Sequence, residues 1–431
     1  MLEKFFKLHA HGTDVRREVI AGITTFLTMA YIIVVNPSIL SATGMDFGAV
    51  FVATCLAAAI GTLIMGLLAN YPIALAPGMG LNAFFAFTVV GNMGYSWQVA
   101  LGAVFLSGLI FFLLSIFKVR EWIINSIPMS LRFGISAGIG FFLALIAFKN
   151  AGIVVDHPAT LVSLGEVKTA ESLLFFGGFA LICALSFRQV TGAVMIGIIA
   201  VTVTAMLLGL VQYEGFVSAP PSLAPTFMQL DLAGALNVGM ISVVFAFLFV
   251  DLFDTSGTLI GAAQRGGLLD KDGKLPRLGK ALMSDSVATM SGAALGTSTT
   301  TSYIESTAGI SAGGRTGLTA VVVAVLFLAC LMLSPIASII PAYATAPALL
   351  YVAVLMASGL KLVDWDDITD AAPAVVTALM MPLTFSIANG IALGFITYAA
   401  LKALSGRWSQ LNASVVIIAI IFILKFIFLS E

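Results

Sequence analysis

The chain has 431 residues, of which 60% are hydrophobic and only 10% are charged, and its formal net charge is −1. Soluble domains carry about 25% charged residues, so this composition excludes a soluble protein and indicates an all-α polytopic membrane protein. The balanced charge also leaves no basic surface of the kind that binds nucleic acid. The function is therefore expected within the membrane or in short loops.

Apolar runs of about 20 residues, the length that a helix needs to cross ~30 Å of hydrocarbon, follow one another along the chain. In chain order they predict about fourteen spans, at 18–40, 48–69, 72–90, 97–117, 129–149, 172–187, 190–211, 236–262, 281–296, 299–314, 316–340, 346–361, 371–386 and 387–404. The first run is too long for the core of a signal peptide, so we expect it to remain as span 1. A further apolar stretch at 412–430 contains Lys425 and is either an extra C-terminal span or a surface helix.

Basic residues test this span count, because Lys and Arg concentrate in cytoplasmic loops. With a cytoplasmic N-terminus, 17 of the 20 Lys and Arg residues fall on the cytoplasmic side, including Lys118, Arg120 and the cluster at 265–280. Only Lys149 and Lys168 fall outside, and Lys425 is undecided. We expect a multi-pass protein of the cell (inner) membrane with its N-terminus in the cytoplasm.

Cysteines and histidines form no pattern typical of a metal site. Cys55, Cys183 and Cys330 lie in apolar segments, where a cysteine is usually a small core residue. The three histidines lie in polar segments, without a second His or Cys at ligand spacing across a helix. We therefore expect no metal and no other resident cofactor.

Spans 3 and 10 differ from the others because helix breakers and small polar residues interrupt them. Span 3 contains Tyr71-Pro-Ile-Ala-Leu-Ala-Pro-Gly-Met-Gly-Leu-Asn82, and Thr, Ser and Gly dominate the approach to Glu305 in span 10. Asn82 lies 64 residues after the start of span 1, and Glu305 lies 69 residues after the start of span 8. Seven spans per half would insert the second copy upside down, which predicts two inverted repeats with discontinuous spans 3 and 10.

Three carboxylates, Asp251, Asp254 and Glu305, lie inside otherwise apolar spans. A charge near the bilayer centre costs from ~2.5 kcal/mol upward, so such residues usually mark an ion or substrate pathway. Asp251 and Asp254 are three residues apart and share one helix face, where both cannot stay ionised cheaply. All three are candidates for proton coupling; alternatively, Asp251 braces a neighbouring helix.

Glu305 and Asn82 are candidate ligands for a planar heterocycle. Near the start of a half-helix, Glu305 could accept two adjacent N–H donors, or it could be a structural residue held by Ser302 or Thr301. Asn82 offers a donor and an acceptor to one ligand edge, or it could cap a helix after Gly80.

Other side chains near these motifs complete the candidate site. Phe84, Phe85 and Tyr303 could stack on a base, although most Phe residues here are expected in the core or against lipid. Thr258 lies four residues after Asp254 on span 8. The predicted substrate-binding residues are Asn82, Asp254, Glu305, Phe84, Thr258 and Tyr303.

Five motifs resemble those of the AzgA-type purine permeases of the nucleobase:cation symporter-2 family. They are Val19-Ile-Ala-Gly-Ile-Thr-Thr-Phe-Leu-Thr-Met-Ala-Tyr31, Ala76-Pro-Gly-Met-Gly-Leu-Asn-Ala-Phe-Phe-Ala-Phe87, Leu252-Phe-Asp-Thr-Ser-Gly-Thr-Leu259, Tyr303-Ile-Glu-Ser-Thr-Ala-Gly309 and Gly313-Gly-Arg-Thr-Gly-Leu-Thr-Ala320. The resemblance implies proton-coupled purine uptake by alternating access. It also implies base-binding roles for Asp254 and Glu305, with Asn82 as a specificity contact.

The resemblance further implies a division into two domains and a homodimer. Residues 18–117 and 236–340 would form the core domain, and residues 129–211 and 346–404 would form the gate domain used for dimerisation. The wider family has Glu-x-x-Gly where this chain has Asp254-Thr-Ser-Gly257, and Asp251 has no clear counterpart outside the subfamily.

Within the subfamily, the intact Pro77-Gly-Met-Gly-Leu-Asn82 resembles the hypoxanthine/guanine carriers more than the adenine carriers. An ionised Glu305 should prefer guanine, whose N1–H and 2-amino group are adjacent donors, whereas adenine would require a protonated carboxyl group. An adenine:proton symporter stays open as the alternative.

Two other classes of membrane protein fit less well. An anion channel or exchanger would need a cationic residue at the broken helices, and 72–90 and 299–314 contain none. An enzyme would need a nucleophile with a base or a metal set, and no His or Lys lies in the candidate site.

Overall fold

The computed structural model describes residues 2–116, 128–158, 160–213, 215–268 and 275–428, which are mostly helical. Lys118, Arg120 and the basic residues of 269–274 lie outside the described residues, as does the end of the predicted stretch 412–430.

The helices of the first half are α1 (Leu2–Phe6), α2 (Val15–Met29), α3 (Ile32–Leu40), α4 (Phe47–Ile64), α5 (Met79–Ala83), α6 (Trp97–Ile116), α7 (Met129–Asn150), α8 (Ala170–Phe187) and α9 (Ala193–Leu207). Those of the second half are α10 (Leu232–Ala235), α11 (Val238–Gly266), α12 (Leu278–Leu295), α13 (Ser306–Ser311), α14 (Gly317–Ala329), α15 (Ser334–Ser338), α16 (Ala342–Ala357), α17 (Ile368–Leu383), α18 (Ile387–Leu404) and α19 (Ala413–Phe428). The π-helical segments Met65–Ala69 and Phe84–Asn92 continue α4 and α5. The strands are β1 (Leu75–Pro77), β2 (Val154–His157), β3 (Leu161–Leu164) and β4 (Thr300–Ser302).

Short polar side chains determine where several helices begin. The Asp46 carboxylate accepts a hydrogen bond from Ala49 N at 2.7 Å before α4, and Thr169 Oγ1 accepts one from Ser172 N at 3.2 Å before α8. Each bond satisfies an N–H group that has no partner in the first helical turn. These caps place the helix starts at loops between predicted spans.

The helical segments follow the predicted spans. Within the described part of the chain, nine are long and apolar enough to cross a bilayer, and they coincide with predicted spans 1, 2, 4, 5, 6, 8, 11, 12 and 14. Shorter apolar helices cover spans 3, 7 and 13 and most of the stretch 412–430. The polytopic helical class is confirmed, and the count of fourteen stays a prediction.

Spans 3 and 10 are broken, as the sequence predicts. β1 and β4 pair antiparallel, with Leu75 opposite Ser302 and Pro77 opposite Thr300, and a half-helix follows each strand. The flanking backbone is also paired, because Gly78 N donates to Thr299 O and Tyr303 N donates to Ala74 O, each at 2.9 Å. All six strand residues are buried, which permits non-helical backbone inside a membrane protein.

Span 1 has a local distortion that the sequence analysis did not predict. α2 ends at Met29 and α3 begins at Ile32, but Ala30 and Tyr31 between them keep right-handed helical backbone angles, so the predicted span 18–40 stays one helical segment. At the distortion the backbone hydrogen bonds join residues three apart, as from Ile33 N to Ala30 O at 3.1 Å. Tyr31 lies at this distortion, beside Glu305.

The helices pack mainly in two sets. α12 packs against α4 and α6, and α14 packs against α2 and α4; separately, α7 packs against α16 and α17, and α17 packs against α18. Glycine allows the closest approach, since a Cβ on Gly317 would lie 1.9 Å from Gly66 O. α19 packs along α18 and presents an apolar outer face.

Candidate functional site

Glu305 lies directly before α13, where β4 gives way to the half-helix. Its Oε1 accepts a hydrogen bond from the Tyr31 hydroxyl at 2.7 Å, and its backbone carbonyl accepts one from Thr28 Oγ1 at 3.4 Å. The carboxylate is partly exposed. Span 1 therefore holds Glu305 through both its side chain and its main chain.

The structural alternative for Glu305 named the wrong partners. Ser302 Oγ donates to Asp285 Oδ1 at 3.2 Å, and Thr301 Oγ1 lies 2.6 Å from Thr255 Oγ1. These contacts join β4 to α11 and α12. Tyr31 is the residue that sequence reasoning missed; its signal is a polar aromatic side chain at the end of the span 1 motif that resembles the permease family.

Asp254 lies midway along α11 and is exposed, although it belongs to a predicted span. It is close enough to Glu305 and Tyr303 for electrostatic interaction with both. The structure thus places two of the predicted carboxylates, one from span 8 and one from the broken span 10, within electrostatic range of each other.

An exposed stripe runs from Asp254 along α11. Asp254, Gly257, Ile260 and Gln264 recur at helical spacing and are exposed, whereas Val250 and Asp251 towards the start of the helix are buried. A carboxylate facing hydrocarbon is costly, so this stripe is expected to line a water-filled passage. The exposed residues run from Asp254 towards the end of α11 that carries Arg265.

Asp251 lies in different surroundings although it shares a helix face with Asp254. It is 2% exposed, and its Oδ2 accepts a hydrogen bond from Thr289 Oγ1 of α12 at 3.3 Å. The same Oγ1 lies 3.0 Å from Thr300 O of β4, so its single proton is shared between the two acceptors. Thr289 thus links α11, α12 and β4, and this contact agrees with the alternative in which Asp251 braces a neighbouring helix.

Asn82 is fully buried in α5, at 0% exposure. Its side-chain oxygen and nitrogen both have no hydrogen-bond partner among the described residues. The capping alternative is wrong, because α5 starts after Gly78 and Asn82 is already its fourth residue. An unpaired buried amide costs about 1–3 kcal/mol per group, so this side chain is suited to a ligand or water partner.

The remaining predicted residues pack around the broken helices. Phe84 is buried and its ring lies edge-on to Phe247, with centroids 4.9 Å apart. The Tyr303 hydroxyl donates to Pro77 O across the strand pair, so it holds the two repeats together. Thr258 is 7% exposed on α11.

The segment that continues α5 packs against Phe385. Thr88 Oγ1, in the segment that continues α5, donates to Phe385 O at 2.9 Å. The Phe385 ring packs against Phe142 of α7 and Phe87, with centroids 5.1 and 6.5 Å away, and Lys149 Nζ lies 5.7 Å from its centre. These contacts pack the segment that continues α5 against Phe385 and α7.

Comparisons with known proteins agree with this architecture. The chain matches the Xan_ur_permease family model, described as a permease family, over residues 16–393. It is 53% identical to the adenine permease AdeP of Escherichia coli, covering 100% of this chain and 97% of that protein. It is 46% identical to the guanine/hypoxanthine permease PbuG of Bacillus subtilis, with 100% of both chains covered.

A solved structure provides the comparison of fold. The transmembrane domain of the cyanobacterial bicarbonate transporter BicA has a TM-score of 0.67, covering 88% of this chain and 96% of that chain. Its sequence identity is 16%, so this likeness shows the fold alone. The family model and the sequence relatives show that this chain is a transporter and not an enzyme, and that it belongs to the nucleobase permeases of the nucleobase:cation symporter-2 family.

Proposed function

We propose that the protein takes up purine nucleobases together with protons by alternating access. The observation that carries this proposal is that Asp254, exposed on α11, lies within electrostatic range of Glu305, which is half-buried beside the paired broken helices. Two carboxylates in such a place can bind N–H donors of a base and exchange protons.

Proton coupling follows from the charge of the site. Among the described residues, neither Asp254 nor Glu305 forms an ion pair with Lys, Arg or His. Closing a membrane site over two unpaired carboxylates is costly, and a bound proton removes one charge. Asp251 stays a third candidate for this proton, although its contact with Thr289 is that of a brace.

The moving parts are proposed from packing. The set around α2, α4, α6, α12 and α14 corresponds to the core domain of 18–117 and 236–340, and the set around α7, α16, α17 and α18 to the gate domain of 129–211 and 346–404. The contact between Thr88 and Phe385 joins the two sets and would break when the site opens to the other side. We also propose a homodimer formed through the gate domains, a multi-pass inner-membrane location and a cytoplasmic N-terminus.

The preferred base is guanine or hypoxanthine in this proposal. Glu305 already accepts the Tyr31 hydroxyl, and a carboxylate in an accepting state matches the N1–H of these two bases. Adenine is the second candidate, because this chain is more similar to AdeP, at 53% identity, than to PbuG, at 46%.

The test measures the Tm of the purified protein with and without each of five bases, at two pH values. The bases are guanine, hypoxanthine, adenine, xanthine and uracil, and bicarbonate and sulfate are tested in the same way as anions. A purine is expected to raise the Tm and an anion is not. Glu305→Gln should remove the response, whereas Asp156→Asn, at an exposed position in β2, should keep it. Stabilisation by an anion alone would overturn the proposal.

A further inference from the structure

We infer that Tyr31 is a positioning residue that sets which edge of a purine Glu305 can bind. The inference rests on the proposed function and deepens it. Tyr31 is 1% exposed and its hydroxyl donates to Glu305 Oε1 at 2.7 Å, although the two residues are 274 positions apart.

Tyr31 is itself held firmly in place. It lies at the local distortion between α2 and α3, where its carbonyl accepts hydrogen bonds from Val34 N at 3.1 Å and Val35 N at 3.0 Å. Three residues earlier, Thr28 Oγ1 contacts the Glu305 carbonyl. The same short stretch of span 1 therefore fixes both the backbone and the carboxylate of Glu305.

The phenol limits what the carboxylate can do. A hydrogen bond to an ionised acceptor is roughly twice as strong as one to a neutral acceptor, so the Tyr31 hydroxyl favours Glu305 as an ionised group. In that state Glu305 can only accept hydrogen bonds, and it pairs with the N1–H of guanine or hypoxanthine. Adenine presents an acceptor at N1 and needs a carboxyl proton, which the Tyr31 contact disfavours.

A purely structural role for Tyr31 makes a different prediction. If the side chain only packed span 1 against α13, its hydroxyl would support every base equally. Its removal would then weaken all purines together and leave their ratio unchanged. The ratio of affinities, and not the affinity for one base, is the quantity that separates the two roles.

The experiment measures the Kd of guanine, hypoxanthine and adenine for purified wild type and Tyr31→Phe. We expect the guanine-to-adenine affinity ratio to shift towards adenine by about fivefold or more, which corresponds to losing one charge-assisted hydrogen bond. Tyr71→Phe is the matched control, since it also removes a buried hydroxyl, one that accepts from Arg277 N at 3.1 Å. This control should leave the ratio unchanged.

Two further variants keep the inference testable. In a Glu305→Gln background, Tyr31→Phe should no longer change the ratio, because the group that Tyr31 acts on is gone. If Tyr31→Phe does not fold, a fluorinated tyrosine at position 31, a stronger donor of nearly the same shape, should shift the ratio towards guanine.

The outcomes separate this inference from the proposed function. An unchanged ratio in both Tyr31 variants, or wild-type binding of adenine alone, overturns the role of Tyr31 and leaves purine transport standing. Absence of binding to any purine overturns the proposed function itself.

Discussion

The two broken helices occupy equivalent places in the repeats, yet their surroundings differ. In span 3, Asn82 and Phe84 are fully buried, and the segment beyond them is closed against Phe385. In span 10, Glu305 is partly exposed and its neighbour Ile304 is 46% exposed, and Asp254 of span 8 is exposed as well. The span 3 half of the candidate site is therefore buried, whereas the half that contains the two carboxylates is the more exposed.

Neutralising one of the two carboxylates, Glu305 or Asp254, should have the largest effect. Glu305→Gln or Asp254→Asn is expected to abolish accumulation of labelled purine in proteoliposomes with an imposed proton gradient, because each removes a carboxylate proposed to bind the base or the coupled proton. Asp156→Asn is the control of equal charge change. Accumulation against a gradient by both site variants would refute the coupling assignment.

Substituting Asn82, in the buried span 3 half of the site, should weaken purine binding without lowering the stability of the fold. Asn82→Ala is expected to lower purine affinity by about 5- to 150-fold, the loss of about 1–3 kcal/mol. Its Tm should not fall, because the Asn82 amide has no partner among the described residues.

Asn36→Ala is the matched control for Asn82. Asn36 is equally buried, but its Nδ2 donates to Thr54 Oγ1 at 2.6 Å and Thr297 Oγ1 at 2.8 Å. This variant should lower the Tm. A similar loss of Tm in Asn82→Ala would show that Asn82 is structural.

Removing the hydrogen bond between Thr88 and Phe385 should have a smaller effect. Thr88→Val removes one hydrogen bond to Phe385, worth about 1 kcal/mol, so the population open to the opposite side should rise by about fivefold. A cysteine at buried Val89, with Cys55, Cys183 and Cys330 replaced, would report this as faster labelling by a membrane-impermeant thiol reagent. Equal labelling rates with and without Thr88→Val would show that this contact does not hold the site closed.

The smallest effect is expected from removing the contact between Thr289 and Asp251. Thr289→Val should lower the Tm by a few degrees, the loss of about 1 kcal/mol, and leave purine affinity within about twofold. Thr202→Val, which removes a buried hydroxyl bonded only to its own helix at Ile198 O, provides the comparison. Loss of proton-driven uptake in Thr289→Val alone would place Asp251 in the proton pathway.

The sequence predicts the broken helices because their cause is local. Pro72 and Pro77 cannot donate backbone hydrogen bonds, so span 3 could not be a continuous helix. The approach of Asp254 to Glu305 also follows from repeat spacing, since both lie at corresponding depths of one half.

Other features depend on contacts that spacing does not encode. Ala30 and Tyr31 are not helix breakers, and the local distortion of span 1 lies beside a glutamate 274 residues away. The different burial of Asp251 and Asp254 likewise depends on α12 and β4 packing against only one of them. The capping alternative for Asn82 fails because α5 starts after Gly78, where the paired strand β1 ends.

The strand pair has a consequence for biogenesis. Tyr303 and its acceptor Pro77 are 226 residues apart, so span 3 enters the membrane long before its partner exists. At about 5–20 residues per second, the backbone of β1 waits about 10–45 s for β4 to be synthesised. During that interval its unpaired polar groups require water, lipid headgroups or an insertase, and a nascent chain stalled before residue 300 should be recognised by membrane quality control.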